Sequence, residues 1–422
     1  MKQARYLLIM LAVLALLSGC TKKDNLTGNN FSELEAQVFE DANALAGGYS
    51  FPADTTNSVL SGRKFLPVGR WNGSEARAIL RFTDIPADSI IQNLHDLRNP
   101  KLSIVLMRSS EIEQNPVRLK FFQVKGEYRA NPFDIPEEEL QEITQSILTL
   151  DHTVVSSDTM HIALPYALLQ NWQSEADSTG LNIVIMASDE SGFGDGFADI
   201  RLSTATEGSK LQFEYKENPS DEEYQEFGRY ASKNDYNMIY TVQDLNTGQW
   251  QLNNYSPQRM YVNIQPDFDM FKDAFGNSLS PADLKRVSVN KAELVLKIKQ
   301  DDPDLRNAIT YAVNPMLIKT NPTEPSVIPS DALFRPEFFA PLYSIASWED
   351  SLLVVDITPI MQAYVSQKEF SDGTLITPNG IVIFSSYELK DFGAIRFYHP
   401  DESGITEEQK PYIRVKYTPP FL

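Results

Sequence analysis

Residues 379–400 read NGIVIFSSYELKDFGAIRFYHP. Two short apolar runs, IVIF and AIRF, flank a stretch of polar and turn-forming residues. Runs this short, rich in β-branched and aromatic residues and bounded by Gly, Asn, Asp and Ser, are strands and not helices. The same order stands earlier, in GLNIVIMASDESGFGDGFADIRLSTA at 180–205. Working outward, RAILRFTDIP at 77–86 matches RMYVNIQPD at 259–267, and NPKLSIVLMRSS at 99–110 matches NKAELVLKIKQ at 290–300. MHIALPYALLQNWQ at 160–173 matches LVVDITPIMQAYVS at 353–366, and KLQFEYKE at 210–217 matches YIRVKYTPP at 412–420. Segments recurring in one order imply a duplicated unit. The chain is therefore expected to be all-β, with a first domain over 50–217, a charged linker over 218–232 and a second domain over 233–422. Few helices are expected. The best candidates are a short one within 31–45 and PEEELQEITQSILTL at 136–150, with Pro near its start and acids in its first turn.

The N-terminus has another character. Lys2 and Arg5 precede an unbroken apolar run from Tyr6 to Leu17, followed by Leu17-Ser18-Gly19-Cys20. That layout is a secretory signal over 1–19, too short in its apolar part to span a bilayer as a helix. Its ending resembles the lipobox of bacterial lipoproteins. The resemblance implies diacylglycerol on the Cys20 thiol, cleavage before Cys20 and a further acyl chain on the new amine. Residues 20–49 then form the lipid anchor and a polar tether. The expected location is the bacterial cell envelope, at the outer membrane because Thr21 and not Asp follows Cys20, on either its periplasmic or its surface face.

Cys20 is the sole Cys among 422 residues, so processing leaves no thiol for a disulfide, a metal or a nucleophile. The net charge of −20 becomes −22 once Lys2 and Arg5 are removed, a field that repels nucleic acid. With 23 Phe and 18 Tyr the chain has ample material for cores.

The second copy also resembles the DNRLRE-type domains of bacterial surface proteins, which belong with a family of carbohydrate-binding modules. The residues that carry this are Asp356-Ile357-Thr358 with Ile360-Met361-Gln362-Ala363-Tyr364, then Ile395-Arg396-Phe397-Tyr398, then Pro411 to Tyr417 (PYIRVKY). The first copy departs from the pattern at Ile162-Ala163-Leu164-Pro165 but keeps Leu169-Gln170-Asn171-Trp172. The resemblance implies tandem jelly-roll-like β-sandwiches that bind polysaccharide or serve as a scaffold. In physical terms Asp356 or Thr358 would cap a helical turn, and Tyr364 and Trp172 would plug the sandwich ends.

For chemistry the sequence offers little. The four His lie in different segments without ligand spacing, and no nucleophile or phosphate-loop motif is present. Acidic pairs suitable for glycoside hydrolysis arise by chance among 57 acids, so a polysaccharide-degrading enzyme ranks last. Asp189, Asp195 and Asp199 alternate with Gly and suit a structural calcium ion, against the plainer reading of a glycine-rich hairpin. Trp71, Trp250 and Trp348 sit in polar, turn-like surroundings and are candidate sugar-stacking rings, with Tyr255 and Tyr261 extending the platform; Trp71 and Trp250 are taken as equivalent positions. The expected protein is thus a non-enzymatic, membrane-anchored lipoprotein that binds polysaccharide. The alternative is a component of an envelope assembly that binds protein partners.

Overall fold

The computed structural model describes residues 35–54, 60–61, 65–83, 97–107, 117–150, 158–165, 181–188, 196–201, 208–216, 218–299, 312–334, 344–347, 351–370 and 372–422. The strands are, in order, β1 (Gln37–Asp41), β2 (Leu45–Pro52), β3 (Leu60–Ser61), β4 (Phe65–Trp71), β5 (Ser74–Phe82), β6 (Arg98–Met107), β7 (Val117–Val124), β8 (Leu140–Leu150) and β9 (Asp158–Ala163). Then come β10 (Leu181–Ala187), β11 (Gly196–Arg201), β12 (Lys210–Tyr215), β13 (Gln225–Tyr230), β14 (Lys233–Ile239), β15 (Asn246–Thr247), β16 (Trp250–Asn253) and β17 (Gln258–Ile264). Last are β18 (Ser288–Lys297), β19 (Ala312–Ile318), β20 (Leu333–Phe334), β21 (Ser344–Ser347), β22 (Leu352–Asp356), β23 (Ile381–Ser385), β24 (Ala394–Phe397) and β25 (Tyr412–Thr418). Among the described residues the α-helices are α1 (Pro281–Leu284) and α2 (Thr358–Ser366). The expected all-β class holds: pairings are antiparallel, in a 12-stranded sheet built from β3–β14 and a 13-stranded sheet built from β1, β2 and β15–β25.

Each sheet folds over its own apolar core. Leu80, Ile104, Ile183, Ile185, Leu211 and Phe213 belong to the first. Val262, Leu294, Ile381, Ile383, Ile413 and Val415 belong to the second. The registers match copy to copy. Leu80 faces Ile183 as Val262 faces Ile381, and Leu211 faces Leu102 as Ile413 faces Leu294. Helix α2 begins where Pro359 suits the first turn, and Asp356 Oδ1 accepts the Thr358 amide at 2.9 Å. It buries Ile360, Met361 and Tyr364 in the second core.

The domain boundaries differ from those read in the sequence. β1 pairs with β25 and β2 with β17, so residues 37–52 belong to the second sandwich and not to a tether or the first domain. β13 pairs with β12 and β14 with β5, so residues 225–239 complete the first. The two strand pairs are counterparts. Phe39 lies opposite Val415 as Phe227 lies opposite Phe213, and Gly48 lies opposite Val262 as Asn234 lies opposite Leu80. Each is an arch whose strands enter opposite layers, and each precedes one copy in the chain while completing the other. The copies have exchanged arches, and the first sandwich is an insertion between β2 and β15 of the second. Local sequence cannot report this, because any strand with the right alternation fits either groove.

Gly48 marks how tightly the exchanged arch is held. Its φ is +151°, and a Cβ there would lie 2.2 Å from the Tyr261 carbonyl oxygen and 2.9 Å from Trp250 Nε1. Two helical expectations also fail. Where 31–45 is described, it contains β1 and the start of β2. After a 3₁₀ turn at Glu137–Glu139, residues 140–150 form β8, paired with β7. The β-branched Ile143, Thr144, Ile147 and Thr149 favour the extended chain, and the ladder to β7 outweighs the helix-forming Glu and Gln.

Candidate functional site: a cleft under the loop from β19 to β20

Of the rings expected to stack on sugars, Trp71, Trp250, Tyr255 and Tyr261 pack within the protein. Trp250 is fully buried, its ring edge-on to His399 at 5.1 Å. Tyr255 is buried too, and its hydroxyl accepts the Asn72 side-chain amide at 2.9 Å. Trp71 packs edge-on against Phe197 at 5.6 Å, with its indole nitrogen buried. Trp71 and Trp250 are not equivalent either: Leu66 faces Ile200 as Leu252 faces Ile395, so Leu66 and Leu252 correspond. Tyr261 is buried and fastens a loop described below. Cys20, Trp348, Asp189 and Asp195 lie outside the described residues, and Asp199 is described only through its backbone pairing with Pro67 and Met107 in β11. Among the described residues no group of acids, His or Cys is arranged to hold a metal ion.

Trp71 and Tyr255 instead belong to a seam between the sandwiches. Phe197 stacks on Phe392 at 4.7 Å, with Ala76, Met238 and Leu389 around them. These two Phe occupy the same position in the repeat, so the copies meet through equivalent residues. Tyr236 donates across the seam to the Leu389 carbonyl at 3.0 Å. A cleft of about 310 Å³ opens beside it at Arg70, Ser74 and Tyr240. Arg70 there is held by Glu75 at 3.2 Å.

A Ser–His pair lies on the outer face of the first sandwich, where Ser103 Oγ is 2.8 Å from His161 Nδ1. Ser103 donates its single hydroxyl proton to Gln212 Oε1 at 2.6 Å. With that proton committed to Gln212, the Ser103 hydroxyl is not offered to His161 Nδ1. By register these positions are Val295, Val354 and Arg414 in the second copy.

The larger cleft, about 670 Å³, is lined by residues 318–334, the loop that follows β19 and returns in β20. A volume of this size suits a ligand of a few rings. The loop KTNPTEPSVIPSDA leaves β19 because Pro322, Pro325 and Pro329 cannot continue a ladder. It crosses the outer face of β17 and β23, where Ile328 packs with Tyr49, Phe51, Tyr261 and Val382. Both ends are fastened. At one, the Tyr261 hydroxyl donates to Asn321 Oδ1 at 2.5 Å and lies 2.9 Å from the Asn379 carbonyl, while Asn379 Nδ2 donates to the Lys319 carbonyl at 2.5 Å. At the other, Asp54 accepts the Ser330 amide at 2.8 Å and the Ser330 hydroxyl. Arg259 donates to Ser330 Oγ at 2.8 Å and forks onto Glu388 at 2.8 and 3.0 Å. Partial burial opposes ionisation of Asp54, but the Ser330 bonds and the Arg259 charge hold its carboxyl below the ordinary value.

Phe334, which lines the cleft, stands tilted to Phe370 beside it at 5.4 Å, both half-buried. The Lys319 ammonium lies 4.5 Å and 5.3 Å from their centroids and is paired with Asp372. The Lys319 bond, with help from the Thr374 amide, holds the Asp372 carboxyl well below the carboxylate range. The cleft lining therefore offers the Phe334 ring, the Lys319 ammonium and the Asn321 side chain, with Phe370 and Asp372 adjoining the first two. None of these was singled out in the sequence. The signal available was the proline spacing of 322, 325 and 329 between two strands, which marks a long structured loop.

Fold and cleft together define an all-β protein of two fused β-sandwiches with a surface cleft of about 670 Å³ among the described residues of the second. No protein-family model matches the chain, and no curated relative matches it.

Proposed function

We propose that this is a non-catalytic, lipid-anchored protein of the bacterial cell envelope that binds a neutral polysaccharide in the cleft under residues 319–334. The observation that carries this reading is the pairing of the Phe334 ring with polar groups in the cleft lining, with Phe370 and Asp372 beside them. Sugar rings present apolar C–H faces edged by hydroxyls, and Phe334, Phe370, Lys319, Asp372 and Asn321 supply partners for both. A binding role fits better than catalysis because the polar groups are committed to fixed bonds: Asn321 to Tyr261, Asp372 to Lys319 and Asp54 to Ser330. The net charge of −20 selects against acidic glycans.

Calorimetric titration of the mature protein with a panel of neutral plant, algal and bacterial polysaccharides tests this. Binding is expected for at least one, weakened about tenfold or more in Phe370→Ala and in Lys319→Ala, since stacking on one ring contributes about 1–2 kcal/mol. Trp250→Phe should leave affinity unchanged. No heat across the panel, or binding untouched by both cleft substitutions, would exclude the cleft.

A further inference from the structure

We infer that the end of the second sandwich carrying Phe275, Phe421 and Leu422 is a lipid-facing tip that dips into the bilayer to which Cys20 is anchored; this rests on the lipid-anchor reading above. Most large apolar side chains of the described residues are buried, yet Phe275 is 67% exposed, Phe421 46% and Leu422 44%. The Phe275 and Phe421 rings lie 5.5 Å apart, so the exposed groups form one patch. It is rigidly presented. Asp273 accepts the amides of Phe275 and Asn277, both at 2.8 Å, which holds Phe275 at the crest of a tight loop. The Ala274 amide bonds the Pro420 carbonyl at 3.2 Å, joining that loop to the segment bearing Phe421. Arg286, exposed beside it, donates to the Phe421 carbonyl at 3.2 Å.

What covers this patch follows from where the chain enters the fold. Gln37, the first residue of β1, lies opposite Tyr417, whose hydroxyl donates to Gln37 Oε1 at 2.5 Å. The same hydroxyl accepts the Lys272 amide at 2.9 Å, in the segment leading to Phe275. The chain arriving from Cys20 thus meets the fold one hydrogen-bond network away from the apolar tip. The 17 residues from Cys20 to Gln37 reach at most about 60 Å even if fully extended. The exchanged arch matters here. Had residues 37–52 completed the first sandwich, the anchor would enter at the far copy; as folded, the C-terminal sandwich is the membrane-proximal one and the first projects beyond it. A bilayer is the apolar phase that lipid on Cys20 brings within reach of two ring side chains with a cation at their edge.

The test uses the full acylated protein reconstituted in vesicles of phosphatidylethanolamine and phosphatidylglycerol, with Phe275→Trp as a reporter and Phe421→Trp as a second. Both sites are exposed, so folding is expected to survive, and an unchanged melting temperature checks it. The expected result is a blue shift of emission on reconstitution, and quenching by acyl-brominated lipid several-fold stronger than for a Val242→Trp control on another exposed surface. Flotation with the vesicles but no shift and no quenching overturns the tip while leaving the anchor intact. Failure to float overturns the anchor reading and the tip with it. A blue shift that appears without lipid and grows with protein concentration assigns the patch to a second copy and overturns the lipid assignment.

Discussion

The loop from β7 to β8 and the loop from β19 to β20 cross the same outer face of equivalent sheets, yet only the second leaves a sizeable cleft among those described. Both drop an isoleucine onto that face: Ile135 onto Ile79, Val124 and Val184, and Ile328 onto Tyr49, Tyr261 and Val382. Both use an arginine at the same repeat position, Arg77 or Arg259. In the first copy Arg77 lies 4.4 Å from the Phe133 ring centroid, Tyr128 bonds Asp235, and Arg81 and Lys233 flank the Tyr128 ring. Aromatic bodies fill the space. In the second, Ile328 apart, the hydrogen bonds that fasten the loop stand at its two ends. Two copies of one scaffold thus differ in whether a loop is packed down along its length or tied at its ends, and the tied one leaves room for a ligand.

The sharpest way to break that comparison is to cut the ties. Arg259 is 7% exposed and its partner Glu388 12%. Arg259→Ala strands a buried carboxylate and releases Ser330, an expected loss of about 3 kcal/mol or more. Arg77, more exposed and held by stacking and by Glu75 at 2.6 Å, should cost only about 1 kcal/mol on truncation. Urea unfolding of the two variants decides it, and equal losses would mean that the loops are fastened alike.

A smaller effect separates stability from binding. Tyr261→Phe removes the hydroxyl that holds Asn321, and Tyr128→Phe removes the one that holds Asp235. Each is expected to cost about 1 kcal/mol. Only the first should also weaken glycan binding, by loosening the wall of the cleft. Glycan titration of both variants checks this; a loss in Tyr128→Phe would place ligand on the first copy.

The parts of this protein that were legible in its sequence are those set by near neighbours. IVIM and IVIF are strands because branched side chains favour the extended chain, and Asp356 and Thr358 announce the helical turn of α2. What was hidden depends on distant residues. The chain around Trp71 and Trp250, RWNGSE and TGQWQLNN, has the composition of an exposed turn, but the first ring packs on Phe197 and the second on His399, each distant in the chain. The arch at 37–52 reads as tether and short helix, and nothing local says that it is a pair of strands whose partner is β25 and not β12. The cleft was invisible for the same reason: its ring Phe334 and the adjoining Phe370 are separated by two strands and a helix.

The smallest expected effect concerns the exchanged arch itself. His399 is buried against Gly48 of β2, its Nε2 3.2 Å from the Gly48 carbonyl and its Nδ1 accepting the Asp401 amide at 3.2 Å. The neutral ring with its proton on Nε2 satisfies both. Burial lowers the pKa of His399, outweighing the Gly48 carbonyl and the carboxylates of Asp401 and Glu402, which favour the cation; the Lys299 ammonium opposes it too. A histidine depressed in the folded state binds its proton more readily when unfolded. Stability is therefore retained above the ordinary histidine range near 6.5 and falls as pH drops below it. The slope for one proton is at most about 1.4 kcal/mol per pH unit. In the first copy Asn234 stands where Gly48 does, and its arch serves as the comparison. Hydrogen exchange across 37–52 and 225–239 at pH 7 and pH 5 measures the difference: protection of 37–52 should fall more, and His399→Gln should abolish the excess. Equal loss in both arches would show that the acid sensitivity belongs to the fold as a whole and not to the histidine that pins the exchanged strand.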